Sequence, residues 1–195
     1  RKLRNYTLAA PVLLVACSTS DQSEQEQEQE STPTIPNIIF LVGDGMGLSQ
    51  MSTAYFYGEG EPNFSRFPIV GLSKTKSGSH KITDSAAGAT AFSCGKKTYN
   101  GAIGVDMDTA NVVTIVEELS NLGWNTGIVS TSSVTHATPG SFYAHVASRG
   151  MQEEIARQLV YSEVDFVAGG GHKWFLNRSD SLSYSDSLVA QGFKL

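Results

Sequence analysis

Cysteine, histidine and charge are all scarce in this 195-residue chain, which has two cysteines, four histidines and 17% charged residues. With Cys17 read below as a modified residue, no partner is left for an intrachain disulfide. The formal net charge of −5 provides no basic surface for nucleic acid. No internal repeat is evident. No G-x-S-x-G elbow occurs, which weighs against an α/β-hydrolase nucleophile. What remains is a globular composition: 40% hydrophobic residues suffice for one domain with a real core, and 19 glycines favour a fold with many tight strand-to-helix turns.

The first 16 residues read as a signal peptide rather than as part of the fold. Arg1, Lys2 and Arg4 make a positive start, and the apolar stretch from Leu8 to Ala16 is too short for a membrane-spanning helix but suits a secretory signal. Its end, Leu14-Val15-Ala16-Cys17, is similar to a bacterial lipobox, with Cys17 as the lipidated first mature residue; an ordinary signal peptide with a chance cysteine is the alternative. Residues 17–36 then form a lipidated cysteine and a disordered tether. Glu24 to Glu30 alternate Glu and Gln with no apolar residue to offset ordering entropy, and Pro33 and Pro36 close the segment. The expectation is an exported protein, periplasmic or cell-surface, anchored to a membrane through Cys17. The absence of Met at position 1 reads as a clipped start. Cys94, among Ala, Phe and Gly, reads as a buried small hydrophobe.

From Asn37 the pattern alternates strand and helix. Asn37 to Val42 is a continuous apolar run, as for a strand buried on both faces. A glycine turn and a helix from about Leu48 to Tyr57 follow, then a second strand over Phe67 to Thr75 and a helix of small residues over Ser85 to Cys94. Asn111 to Leu122 has Val112, Ile115, Val116 and Leu119 at helical spacing, stopped by Gly123. Strands over Thr126 to Ser130 and Val164 to Ala168 flank a helix over Met151 to Tyr161, and Ser185 to Gln191 is a last helix. Such alternation implies an α/β fold, a mainly parallel sheet flanked by helices, with its site beyond the carboxyl ends of the strands.

Three segments there offer chemistry. Asp44, in Gly43-Asp44-Gly45-Met46-Gly47, is a metal ligand with glycines admitting substrate, or a turn Asp bonding its own loop. Asp84 and Ser85 stand where a helix begins, a position that favours an anion such as a transferred phosphoryl group. A serine hydroxyl there becomes a useful nucleophile if a divalent metal lowers its pKa; a plain helix cap is the other reading. In Thr135-His136-Ala137-Thr138-Pro139, Pro139 suits a first helical position with Thr138 as its cap. The Thr138 hydroxyl is a hard ligand suited to Mg²⁺, and His136 is a ligand or a group behind one. Arg149 has the fork that grips phosphate, although an arginine at a helix end is commonly just solvated.

Together, Asn37 to Gly47, Thr83-Asp84-Ser85-Ala86-Ala87-Gly88-Ala89-Thr90, Lys97-Thr98-Tyr99-Asn100-Gly101, His136-Ala137-Thr138-Pro139 with Arg149, and Val167 to Gly171 resemble the alkaline phosphatases in order and spacing. The resemblance runs from Asn37 to roughly Phe193, so residues 37–195 read as the N-terminal part of such a domain. It implies hydrolysis of small phosphate monoesters through a phosphoserine, with two zinc ions and one magnesium. Asp44 would bridge one zinc and the magnesium, Ser85 would be the zinc-bound nucleophile, and Asp84 would position that turn and the guanidinium opposite. Thr138 would ligate magnesium, and Arg149 would clamp the phosphate oxygens. Family members have Asp or His at the position of His136, which bears on magnesium affinity and pH dependence. A homodimer is a further expectation, with no interface residue identified.

The family's second zinc site takes an Asp and histidines from its C-terminal half. Here His80, His136, His145 and His172 are the only histidines, and no Asp-x-x-x-His or Asp-His pair follows Arg149. The expectation is therefore a truncated chain with little turnover of its own. Two rivals remain: a sulfatase or phosphodiesterase of the same superfamily, and a non-catalytic lipoprotein that binds phosphate or metal.

Overall fold

The structure, a computed structural model, describes residues 37–194. The signal segment, Cys17 and the tether lie outside the described residues. The chain divides into two compact units after Leu41. Of the first, only residues 37–41 are described, and they form neither helix nor strand. The helices and strands described below all belong to the second unit.

Its core forms where the apolar pattern meets good capping. α1 spans Leu48–Tyr57 and α2 spans Ser85–Cys94. α3, Ile115–Asn121, starts at a capping box: the Glu117 N–H donates to Thr114 Oγ1 at 3.2 Å, and the Thr114 N–H donates to Glu117 Oε2 at 2.7 Å. β1, Gly127–Ser133, leads into the short α4, Ala137–Gly140. α5, Gln152–Val160, buries Ile155, Ala156, Leu159 and Val160, one face of a helix. β2, Phe166–Gly170, pairs parallel to β1 in the register Ile128↔Val167 and Val129↔Ala168, with a bulge before Ser133↔Gly170. α6, Lys173–Leu176, and α7, Ser185–Ala190, complete the order; Phe175 and Tyr184 from this end join Ile128, Ile155 and Leu159 in the core.

The parallel sheet flanked by helices is as expected, but two of the expected strands are not. Residues 37–42 and 67–75 run without a strand ladder, and their apolar side chains are exposed, Ile69 and Leu72 among them. A strand exists through its neighbour's hydrogen bonds, and neither segment has a paired neighbour in the described sheet. The helix expected from Asn111 begins at Ile115 because Asn111 is bridged to Val105 instead.

Small side chains bring α2 and α4 close. Ala86, Ala87 and Ala89 are buried, and Ser141 Oγ reaches Ala86 O at 3.4 Å across the gap. The buried Thr90 hydroxyl accepts from Gly104 N at 3.1 Å and donates to Ala102 O at 3.2 Å. The loop around Ile103 is clamped in turn to Val146 by a pair of main-chain bonds of 3.0 and 2.9 Å.

Gly104 is the tight point of this clamp. It has φ +58°, and a methyl group there would be driven into the Ala144 carbonyl and the His145 ring. Gly104→Ala is expected to destabilise the fold by about 2–4 kcal/mol, through left-handed backbone strain plus steric overlap. Denaturant melts measure this; a loss within error of zero would show that the loop relaxes freely.

Candidate active site

Four elements deliver the candidate residues. Asp44 sits in the turn closed by Met46 N–H donating to Gly43 O at 3.1 Å, just before α1. Asp84 is the N-cap of α2, its Oδ1 accepting from Ala87 N at 3.0 Å, and Ser85 is the first residue of that helix. Thr138 belongs to α4, beyond the carboxyl end of β1. Arg149 leaves the clamped loop, its N–H donating to Gly101 O at 2.7 Å.

These residues converge. The Ser85 hydroxyl donates to Asp44 Oδ1 at 3.0 Å, and the Thr138 hydroxyl donates to Asp44 Oδ2 at 2.7 Å. One exposed carboxylate thus gathers hydroxyls from 41 and 94 positions further along the chain. Beside it, Arg149 Nη1 donates to Asp84 Oδ2 at 3.1 Å, and Arg149 Nη2 lies 3.2 Å from His136 Nε2. Arginine has no acceptor, so in this contact Arg149 donates and His136 Nε2 accepts. All six positions singled out within the folded region therefore meet in one place.

One placement differs from expectation. His136, not Thr138, is the N-cap of α4, and Pro139 is its third residue. A capping threonine would spend its oxygen on its own helix amides; as the second residue of the helix, Thr138 has its hydroxyl free to meet Asp44. Cys94 is half-buried, with its thiol 3.5 Å from Val112 O and its pKa pushed up by burial. That is the condition of an inert thiol.

Sequence reading missed the supports. Asn100 accepts from Asp84 N at 3.3 Å and donates to Ile82 O at 3.1 Å, and Gly101 N donates to Asp84 Oδ2 at 3.0 Å. Asn100 and Gly101 lie in a motif already noted, but no local pattern signals bonds across 16 or 17 positions.

Electrostatics hold both carboxylates ionised. The Thr138 hydroxyl bond draws the Asp44 carboxyl below its usual range, against a smaller opposing effect of burial and with help from Ser85. Partial burial pushes the Asp84 carboxyl up, but the amides of Ala87 and Gly101 and the Arg149 guanidinium outweigh it, so it also ends lower. A carboxyl depressed on folding contributes stability that is full above its unfolded pKa of about 3.9 and is lost as pH falls through the folded value. Asp84→Asn is accordingly expected to lower stability at neutral pH and to flatten the acid limb below about pH 4. Thermal melts at stepped pH test it; parallel acid limbs for the two proteins would refute it.

The two Asp44 carboxylate oxygens and the Ser85 and Thr138 hydroxyls form a hard donor set, the chemistry that Mg²⁺ takes. Zinc's preference for imidazole and thiolate is not met: among the described residues no group of three or more His, Cys, Asp and Glu side chains could hold a metal ion.

The site is thus a serine at a helix start, a carboxylate held between two hydroxyls and a braced arginine, set beside a parallel α/β layer. Comparison with known proteins narrows this. The sequence model of the family "Alkaline phosphatase" matches residues 35–192. The alkaline phosphatase of Schizosaccharomyces pombe is 46% identical over 163 residues, 77% of this chain and 31% of that protein. That of Escherichia coli is 37% identical over 211 aligned positions, 91% of this chain and 45% of that protein. The crystal structure of alkaline phosphatase from the Antarctic bacterium TAB5 superposes with a TM-score of 0.76 at 51% identity, covering 77% of this chain and 44% of that one. Two further structures of the Antarctic enzyme have a histidine replaced by Glu or Asp and magnesium bound. The chain belongs to the alkaline phosphatase family. It spans about a third to just under half the length of these relatives.

Proposed function

We propose that these residues supply the nucleophile and the phosphate clamp of a phosphate-monoester hydrolase. The observation behind this reading is the single carboxylate of Asp44 held between the Ser85 and Thr138 hydroxyls, next to Arg149 braced on Asp84. Ser85 Oγ attacks phosphorus in line with the leaving oxygen. The new Oγ–P bond forms as the bond to the leaving alcohol breaks, and water later cleaves the phosphoserine by a second in-line step. Arg149 holds the equatorial oxygens through both, and the amides at the start of α2 add partial positive charge.

Asp44 is too weak a base to activate a serine alone, because its own pKa is depressed. Divalent cations held by Asp44, Ser85 and Thr138 would supply that activation by lowering the hydroxyl pKa. Two zinc ions and one magnesium are proposed, with Asp44, Ser85 and Thr138 as this chain's contribution to them. Magnesium bound in two structures of the Antarctic enzyme supports magnesium among these cations. The donor set within the described residues is too small to hold zinc, which favours a second reading for this segment by itself: binding of phosphate or magnesium with little turnover.

The native gene product, supplied with zinc and magnesium, is expected to hydrolyse an aryl phosphate monoester at least about 100-fold faster than the matching diester or sulfate ester, and to lose that rate on chelation. The 195-residue chain alone should show little of it. Faster cleavage of the diester or the sulfate by the native product would assign the site to a sulfatase or phosphodiesterase instead.

A further inference from the structure

Arg149 points into the site from a loop, so its guanidinium can be no better placed than its main chain. That main chain is held at both ends. Its N–H donates to Gly101 O, and its carbonyl accepts from Gln152 Nε2 at 2.8 Å. Gln152 opens α5, whose buried face fixes it against the core.

The other end of the same amide is also engaged. Gln152 Oε1 accepts from Thr135 Oγ1 at 2.5 Å, and that fully buried hydroxyl in turn lies 2.7 Å from Ser133 Oγ. Ser133 ends β1, and Thr135 stands directly before His136 and three residues before Thr138. A single amide therefore ties the loop that carries Arg149 to the loop that carries His136 and Thr138. A primary amide does both jobs: its NH₂ donates to the carbonyl while its oxygen accepts from the hydroxyl. Glutamate would set a carboxylate against the Arg149 carbonyl oxygen. Methionine fills similar space and makes neither bond.

We propose that Gln152 is a positioning residue for phosphate recognition, setting the distance between Arg149 and the Asp44–Thr138 side of the site. It touches neither substrate nor reacting atoms. The inference rests on the reading of Arg149 as the phosphate clamp, and the two are separable by experiment.

Gln152→Met, Arg149→Ala and the double variant are made in the native gene product and assayed for KM, kcat and inhibition by inorganic phosphate. Gln158→Met is the control. Gln158 lies on the same helix and makes a similar double bond, accepting from His145 N at 2.7 Å and donating to His145 O at 3.2 Å, but it does not touch Arg149. Gln152→Met is expected to raise KM and the phosphate inhibition constant about tenfold, with a smaller change in kcat. It should add nothing in the Arg149→Ala background. Gln158→Met should lower the thermal midpoint and leave phosphate inhibition where it was. Equal weakening by Gln152→Met in both backgrounds would overturn the proposal, because the effect would not run through Arg149. Normal phosphate inhibition in Gln152→Met, with Arg149→Ala impaired, overturns the brace alone. Normal inhibition in Arg149→Ala overturns the site reading itself. If Gln152→Met does not fold, Gln152→Glu and Thr135→Val cut the two bonds one at a time and are judged by the same criteria.

Discussion

Ser85→Ala in the native gene product is expected to lower phosphomonoester turnover by on the order of 10⁴-fold or more, the scale seen when a covalent nucleophile is removed. Label from a phosphate monoester should no longer be trapped on the protein in acid. Stability should hardly change, for three reasons visible in the structure. Ser85 is only half-buried, its hydroxyl makes one bond, to the exposed Asp44, and alanine is a better helix former than serine. The cap of α2 is Asp84, which the substitution leaves in place. Phosphate should still bind, since Arg149 and the α2 amides remain. Unaltered phosphate binding with no phosphoenzyme separates a nucleophile from a mere helix-start residue. Retained labelling in Ser85→Ala would move the nucleophile elsewhere, and retained turnover without labelling would replace the two-step reaction with direct attack by water.

The legible part of this site was whatever local chemistry determines. Asp84 before a run of small residues announces a capped helix, and Ser85 follows at its first position. Val164 to Ala168 announces a strand, which forms over Phe166–Gly170. Residues 37–42 look no less strand-like, yet form none, because an apolar run states a capacity to pair and not the presence of a partner. Thr138 shows the same limit at smaller scale. Threonine before proline reads as a cap, but the helix starts two residues earlier, and the shift is what frees the hydroxyl for Asp44. Gln152 had no signal at all, and Asn100 only its place in a family motif. A glutamine at a helix start and an asparagine in a turn are ordinary, and their roles appear only when distant segments are brought into contact. The capping box at Thr114 and Glu117 was readable from its spacing, and it would have placed the start of α3 correctly.

Arg149→Ala is expected to raise KM for a phosphate monoester and the inhibition constant for inorganic phosphate by about 10- to 100-fold, and Arg149→Lys to recover only part of that loss. The guanidinium has five N–H groups, and two are committed, to Asp84 and to His136. These bonds orient the plane and leave three N–H groups with which to bond phosphate oxygens. Lysine keeps the charge but loses the fork and cannot bond Asp84, His136 and phosphate in one plane. The Arg149–Asp84 pair is itself a poor source of stability: the two side chains are 33% and 25% exposed, so solvent screens them. Its value is directional. Asp84→Asn keeps the shape and the acceptor oxygen but drops the charge, so it should weaken phosphate binding less than Arg149→Ala does. Because Asp84 acts only through Arg149, it should add little once Arg149 is gone. Inhibition by inorganic phosphate in the single and double variants tests both statements. Additive losses would mean that Asp84 acts on phosphate by a route other than Arg149, through the amides at the start of α2 that it caps.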